Sequence, residues 1–152
     1  MNVTILAVGR AKAGPLRELF DQYTKRLNFP VTVREVEARG KLPPAQLRKR
    51  EGDLLLAALP AQAKAIVLDE AGKALSSADF TSLLGDWRDM GVRDFVFVIG
   101  GAEGIAAELH QKADLLLSLG PMTWPHQLAR VMLAEQLYRA QSIWSGHPYH
   151  RG

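Results

Sequence analysis

The stretch Phe95-Val96-Phe97-Val98-Ile99-Gly100-Gly101-Ala102-Glu103-Gly104 decides the fold class of this 152-residue chain. Its first five residues are apolar, β-branched or aromatic, which predicts a strand buried on both faces at the centre of a parallel sheet. The glycines that follow remove side chains where the backbone must come close to another group, either a ligand or the next helix. Because ligands of open parallel sheets bind beyond the carboxyl ends of strands, this turn is a candidate site.

Strand and helix patterns alternate on both sides of this stretch. Further strands are predicted at residues 3–8, 31–36, 65–68 and 115–117, and helices at about 15–27, 43–59, 76–90 and 126–144, with one more after the glycine turn. This order predicts one α/β domain over residues 1–152, with a mostly parallel sheet flanked by helices.

The overall composition excludes several classes of site. There is no cysteine, which removes disulfides and thiolate metal sites and fits a reducing compartment. His147 and His150 are poorly spaced for a metal, so no metal site is predicted. No apolar run approaches the roughly 18 residues of a membrane helix, so no membrane partner is expected.

The net charge of +3 is mildly basic and allows a polyanionic partner without requiring one. Arg39, Lys41, Arg48, Lys49 and Arg50 gather in one stretch of the chain. Such a cluster is either a solvated surface or a site for phosphate groups.

Three unusual loops follow core strands and are expected to meet at one edge of the sheet. They cover residues 69–73, 100–104 and 118–126. The glycines of the second loop match neither the dinucleotide-binding fingerprint nor a P-loop, which disfavours phosphate-dependent nucleotide chemistry. The third loop holds prolines beside Met122 and Trp124, so it forms either a rigid wall for a flat heterocycle with a thioether or a cover over the core.

The last helix is apolar on two faces. Leu133 and Leu137 belong to one face, while Met132 and Tyr138 belong to the opposite one. One face can pack on the sheet, and a second subunit is the natural partner for the other. Glu135 and Arg139, an i,i+4 pair, lie within that second face, which is either a surface strip or, as we favour, a buried interface.

The chain closes with His147-Pro148-Tyr149-His150-Arg151-Gly152. Tyrosine can stack on a base, arginine can hold a phosphate, and histidine can exchange a proton near neutral pH. A disordered tail without a role is the alternative, since chain ends often are disordered.

The run from Leu119 to Arg151 closely resembles the C-terminus of the bacterial ribosomal RNA large subunit methyltransferase H family, of the SPOUT superfamily. The earlier residues Leu6-Ala7-Val8-Gly9, Leu68-Asp69 with Gly72, and Ile99-Gly100-Gly101 with Gly104 also match. The late motifs that carry this resemblance are Met122-Thr123-Trp124-Pro125-His126-Gln127-Leu128, Arg130, Glu135-Gln136-Leu137-Tyr138-Arg139-Ala140 and Pro148-Tyr149-His150-Arg151.

This resemblance implies a cytoplasmic enzyme that uses S-adenosyl-L-methionine to methylate N3 of a pseudouridine in 23S ribosomal RNA, pseudouridine 1915. It also implies a trefoil knot in the C-terminal half and a homodimer built around the last helix. The residues that would hold the cofactor are Leu68, Gly100, Leu119, Gly120, Pro121, Met122, Thr123 and Trp124. Gly120, Pro121 and Trp124 depart from the family pattern, which leaves open which side chain faces the sulfonium.

The tail and the last helix would supply the catalytic groups. We expect His150 to act as a base or proton relay, Arg139 and Arg151 to provide a positive field, and Tyr149 to position the target base. We also expect the tail to act on the crevice of the partner subunit, and the substrate to be the assembled ribosome. A non-enzymatic RNA-binding or ribosome-assembly protein is the alternative, and cofactor binding separates the two.

Overall fold

The computed structural model describes residues 1–150 and contains one five-stranded parallel sheet with helices on both faces. The strands are β1 (Asn2–Val8), β2 (Val31–Val36), β3 (Lys64–Ala74), β4 (Asp94–Ile99) and β5 (Leu115–Ser118). The helices are α1 (Pro15–Thr24), α2 (Pro44–Ala58), α3 (Ser77–Asp89), α4 (Ala107–Lys112) and α5 (His126–Ser145), followed by a 3₁₀ turn at Pro148–His150. The predicted α/β class is confirmed.

Strand β4 lies at the centre of the sheet, whose order is β2-β1-β4-β3-β5. Phe95 and Phe97 join a core cluster with residues of α3 and α5 on one face. Val96 and Val98 join a second cluster with residues of α2 and α4 on the other face. The burial of both faces explains why this strand is apolar without alternation.

Two element boundaries differ from the prediction. Strand β3 does not end before Asp69 but continues to Ala74, because it pairs with β5 in two registers. Leu117 lies opposite both Leu68 and Lys73, so residues 69–72 form a bulge between the two paired segments. Helix α1 ends at Thr24, whose hydroxyl donates to the carbonyl of Phe20, a local bond that competes with further helix.

The tail folds back on α5 through residue 150. Gly146 adopts a left-handed conformation with φ 72°, and the His147 N–H donates to the carbonyl of Ser142. The Tyr149 ring then packs edge-to-face on Tyr138, with ring centroids 4.7 Å apart. This part of the tail therefore belongs to the packed structure.

Candidate active site

The three predicted loops meet at the carboxyl edge of the sheet around a crevice of about 230 Å³. Every residue predicted to hold the cofactor borders this crevice except Pro121. The lining residues are Leu68, Asp69, Glu70, Ile99, Gly100, Gly101, Ala102, Gly104, Ile105, Leu117, Leu119, Gly120, Met122, Thr123, Trp124, His126 and Ala129. Parallel strands bring these loops together because all their carboxyl ends share one edge.

The glycine turn shapes one wall of the crevice through its own packing. A Cβ on Gly100 would stand 2.6 Å from Cδ1 of Ile105 and 3.1 Å from the carbonyl oxygen of Gly104. Gly104 itself has φ 86°, which side chains rarely adopt. The backbone at Gly100 therefore packs closely against later residues of the same turn. This packing fixes the shape of the crevice wall.

The third loop forms the opposite wall and does not cover the core. Met122 is 71% exposed and Trp124 is 40% exposed, whereas a core cover would bury both. Trp124 Nε1 donates to the carbonyl of Leu119 at 3.2 Å. Thr123 Oγ1 donates to Oε2 of Glu70 at 2.8 Å, which ties this loop to the β3 bulge.

Two acidic residues on the crevice wall, Asp69 and Glu70, were not predicted as site residues. Asp69 Oδ2 lies 2.6 Å from Nε2 of His110, and its Oδ1 accepts the N–H of Ala71. Oε2 of Glu70 accepts the hydrogen bond from the Thr123 hydroxyl. The loop itself was predicted, but the sequence offered no way to tell which of its side chains face inward.

A buried arginine fixes the start of α5 beside the crevice. Arg130 is 3% exposed; its Nη1 contacts Oε2 of Glu35 at 2.6 Å and its Nη2 donates to the carbonyl of Gly9 at 3.0 Å. Burial would raise the pKa of Glu35, but the hydrogen bonds from Arg130 and from the Ala11 N–H outweigh it and lower the pKa. The loop after β1 is thus tied to the helix that places His126 on the crevice wall.

The predicted catalytic residues of the tail gather near the middle of α5. Arg139 donates to Oε1 of Glu135 from Nε at 3.1 Å and from Nη2 at 2.7 Å. The Tyr149 hydroxyl donates to the same oxygen at 3.1 Å, and the Arg139 guanidinium lies 5.2 Å from the Tyr149 ring centre. Burial, with Tyr23 and Glu135 nearby, raises the pKa of Tyr149, and the bond to Glu135 raises the pKa of Arg139.

The two tail histidines have different surroundings. Nδ1 of His150 is buried without a hydrogen-bond partner among the described residues. Nδ1 of His147 instead accepts the Tyr149 N–H at 3.2 Å. Of the two, only His150 has an Nδ1 without a hydrogen-bond partner among the described residues. Arg151, the fourth predicted catalytic residue, lies outside the described residues.

Within one chain the crevice and the tail cluster are separate. Arg139 follows His126 by 13 positions on one helix, which corresponds to about 20 Å at 1.5 Å per residue. None of Arg139, Tyr149 and His150 borders the crevice. The structure therefore brings the predicted cofactor residues together at the crevice and gathers Arg139 and Tyr149 in a separate cluster on α5.

The crevice fits a sulfonium nucleoside. Ile99, Met122 and Trp124 offer apolar surface for a heterocycle, while the carboxylates of Asp69 and Glu70 can accept hydrogen bonds and complement a positive charge. Within residues 1–150 there is no cluster of three or more side chains suited to a metal ion, and no helix long and apolar enough to cross a membrane.

The family model described as a predicted SPOUT methyltransferase matches residues 1–150. The class defined by this match is a methyltransferase that uses S-adenosyl-L-methionine, and the non-enzymatic alternative is thereby set aside.

More specific relatives are proteins called "Ribosomal RNA large subunit methyltransferase H". The one from Rhodospirillum centenum is 55% identical over 151 residues, and the one from Paramagnetospirillum magneticum is 54% identical; each match covers 99% of both chains. This chain belongs to the ribosomal RNA large subunit methyltransferase H family of the SPOUT superfamily.

A more distant likeness is to the SpoU methyltransferase AviRb from Streptomyces viridochromogenes, solved with the cofactor AdoMet. The TM-score is 0.47 and the identity 11%, with 91% of this chain and 57% of that chain covered.

Proposed function

We propose that this enzyme methylates N3 of pseudouridine 1915 in 23S ribosomal RNA, in the cytoplasm, on the assembled ribosome and as a homodimer. The observation that carries the proposal is the crevice at the sheet edge, assembled from the three segments that match the family. The near-complete coverage of relatives named for ribosomal RNA methylation supports the RNA substrate.

The chain must align the acceptor nitrogen and remove its proton. When bound, S-adenosyl-L-methionine supplies an electrophilic methyl group that needs little activation, so alignment is the main task. The acceptor is an imide nitrogen, which becomes a good nucleophile only after losing its proton. We propose that His150 accepts this proton. Its Nδ1 is buried and has no hydrogen-bond partner among the described residues.

The other tail residues then position the base and stabilise its anion. The Tyr149 ring, held by Glu135 and by Arg139, offers a face or edge to the target base. The sequence predicted that Arg139 provides a positive field for the anion. Because Arg139 already pairs with Glu135, we propose instead that it holds Tyr149 in position. Arg151 remains our candidate for that field.

A homodimer accounts for the separation of crevice and tail. A second groove of about 530 Å³ lies between α1, α5 and the start of α3, and its lining includes Leu19, Tyr23, Ser77 and Met132. Leu119 and Gly120 border both this groove and the crevice, so a second subunit seated in the groove would lie beside the crevice. We propose that its tail completes the site.

A complementation experiment tests this arrangement. One chain carries Gly100→Val, which distorts the crevice turn, and the other lacks residues 149–152. Each variant alone should fail to methylate ribosomes from a deletion strain, as read by mass mapping of the RNA. An equal mixture of the two chains should recover about a quarter of wild-type activity, because half of the randomly formed dimers are mixed and each of these carries one complete site out of two.

No recovery in verified mixed dimers would mean that the tail acts within its own chain or not at all. Full activity of the truncated chain alone would refute any role of the tail. Equal rates on naked 23S RNA and on ribosomes would refute the assembled substrate.

A further inference from the structure

Glu51 is a buried carboxylate that the proposed reaction does not use. It is 8% exposed, and its Oε1 has no hydrogen-bond partner among residues 1–150. It also takes part in none of the salt bridges of the described chain. The charged form of a buried carboxylate without a partner is costly, so it is favoured only where a cation compensates it and is otherwise replaced by the protonated form.

The carboxylate stands directly behind the glycine turn of the crevice. Its Oε2 and Oε1 lie 3.0 and 3.1 Å from where a Cβ on Gly101 would be, and Gly101 borders the crevice. Helix α2 is held there tightly, because a Cβ on the adjacent Gly52 would be only 2.6 Å from Cβ of Ala106. The charge of Glu51 is thus separated from the crevice by one residue without a side chain.

The surroundings of Glu51 favour a cation as the missing partner. Burial and the nearby Glu103 both raise the pKa of Glu51, and no basic side chain within residues 1–150 forms a salt bridge with it. Asp69 and Glu70 also border the crevice, but they already bond to His110 and Thr123, whereas Oε1 of Glu51 has no such bond among the described residues. A sulfonium has no hydrogen to donate and is recognised through its charge, which acts across a thin wall in a medium of low dielectric constant.

We propose that Glu51 is a specificity-determining residue that makes the crevice prefer the positively charged sulfonium of S-adenosylmethionine over the neutral thioether of S-adenosylhomocysteine. This preference would help the product to leave after the methyl group and the positive charge are gone. The proposal rests on the cofactor of the family and does not depend on which RNA is methylated.

Calorimetric titration of the intact protein with each ligand, without RNA, tests the proposal. In Glu51→Gln, the Kd for S-adenosylmethionine should rise about tenfold, as expected for loss of one charge near the ligand, while the Kd for S-adenosylhomocysteine stays unchanged. Glu51→Asp keeps the charge and should retain the preference. Asp53→Asn, which removes an exposed charge from the same helix, should leave both constants unchanged.

Two results would overturn the proposal. An equal loss of affinity for both ligands would show that Glu51 only shapes the turn, and no loss for either would show that its charge does not reach the crevice. Thermal denaturation checks the fold, and we expect Glu51→Gln to be at least as stable as wild type because it removes an unpaired buried charge. Should that variant not fold, Glu51→Met provides the same comparison.

Discussion

At the scale of single residues, buried polar groups determine how the crevice is held. Arg130 could be selected from the sequence because it belongs to the family motif, but its partner Glu35 lies 95 positions away and could not. The contact depends on β2 and α5 being brought together, which no local pattern encodes. Asp69, Glu70 and Glu51 were missed for the same reason, since the direction of a side chain depends on the packing around it.

Replacing Glu35 with glutamine should lower the free energy of unfolding at pH 7 by about 1–3 kcal/mol, because it leaves Arg130 buried without a charged partner. The pKa of Glu35 lies below its usual 4.5 in the folded chain, so its contribution is fully present above that value. The contribution is lost as the pH falls through the folded-state pKa. Urea titrations at a series of pH values check this.

Glu37→Gln is the matched control, because its salt bridge to Arg10 joins two largely exposed side chains and is worth little. A stability difference between Glu35→Gln and wild type that stayed constant down to pH 3 would contradict the assignment.

At the scale of secondary-structure elements, α2 brings positive charge to the crevice edge. Arg48 precedes Glu51 by three positions and Gly52 by four, so it shares their face of the helix one turn nearer the carboxyl edge of the sheet. Arg48 and Arg50 are exposed and form no salt bridge within residues 1–150, whereas Lys49 pairs with Asp53. We therefore predict phosphate binding at this part of α2, with a solvated surface as the alternative.

The double substitution Arg48→Ala with Arg50→Ala should raise KM for ribosomes about tenfold and leave the Kd for the cofactor unchanged. It should also make the slope of log(kcat/KM) against log[salt] shallower by about 2, since about one counterion is released per phosphate contact. Steady-state methylation assays at several salt concentrations measure both effects.

The control pair is Arg93→Ala with Lys112→Ala, which removes the same charge at the opposite edge of the sheet. An equal effect of the two pairs would mean that only net charge matters and that α2 does not dock the RNA.

At the scale of the whole molecule, one chain leaves apolar surface uncovered where a second copy would fit. Leu16 and Leu19 of α1 are 39% and 38% exposed. Met132 and Tyr138, on the second face of α5, are only half-buried. The groove lined by Leu19 and Met132 lies where the sequence predicted an interface on α5. The dimer and the trefoil knot both remain predictions.

Leu19→Lys should convert the dimer into a monomer and abolish methylation, because it places a charge in the groove between α1 and α5. Analytical ultracentrifugation gives the mass, and circular dichroism checks that the chain stays folded. Met90→Lys makes the same change at a residue that is 72% exposed outside the groove, and should remain dimeric and active. A Leu19→Lys protein that stayed dimeric would show that the interface lies elsewhere.

The sequence by itself determined the strand order along the chain, the central apolar strand at 95–99 and the three loops at one sheet edge. These follow from patterns of neighbouring residues, because periodicity and turn chemistry are local properties. Only the tertiary structure decided that β3 bulges at residues 69–72, that Glu51 stands behind Gly101 and that the tail cluster lies about 20 Å along α5 from its own crevice. Those features depend on contacts between residues far apart in the chain, which the packing of the sheet and its helices creates.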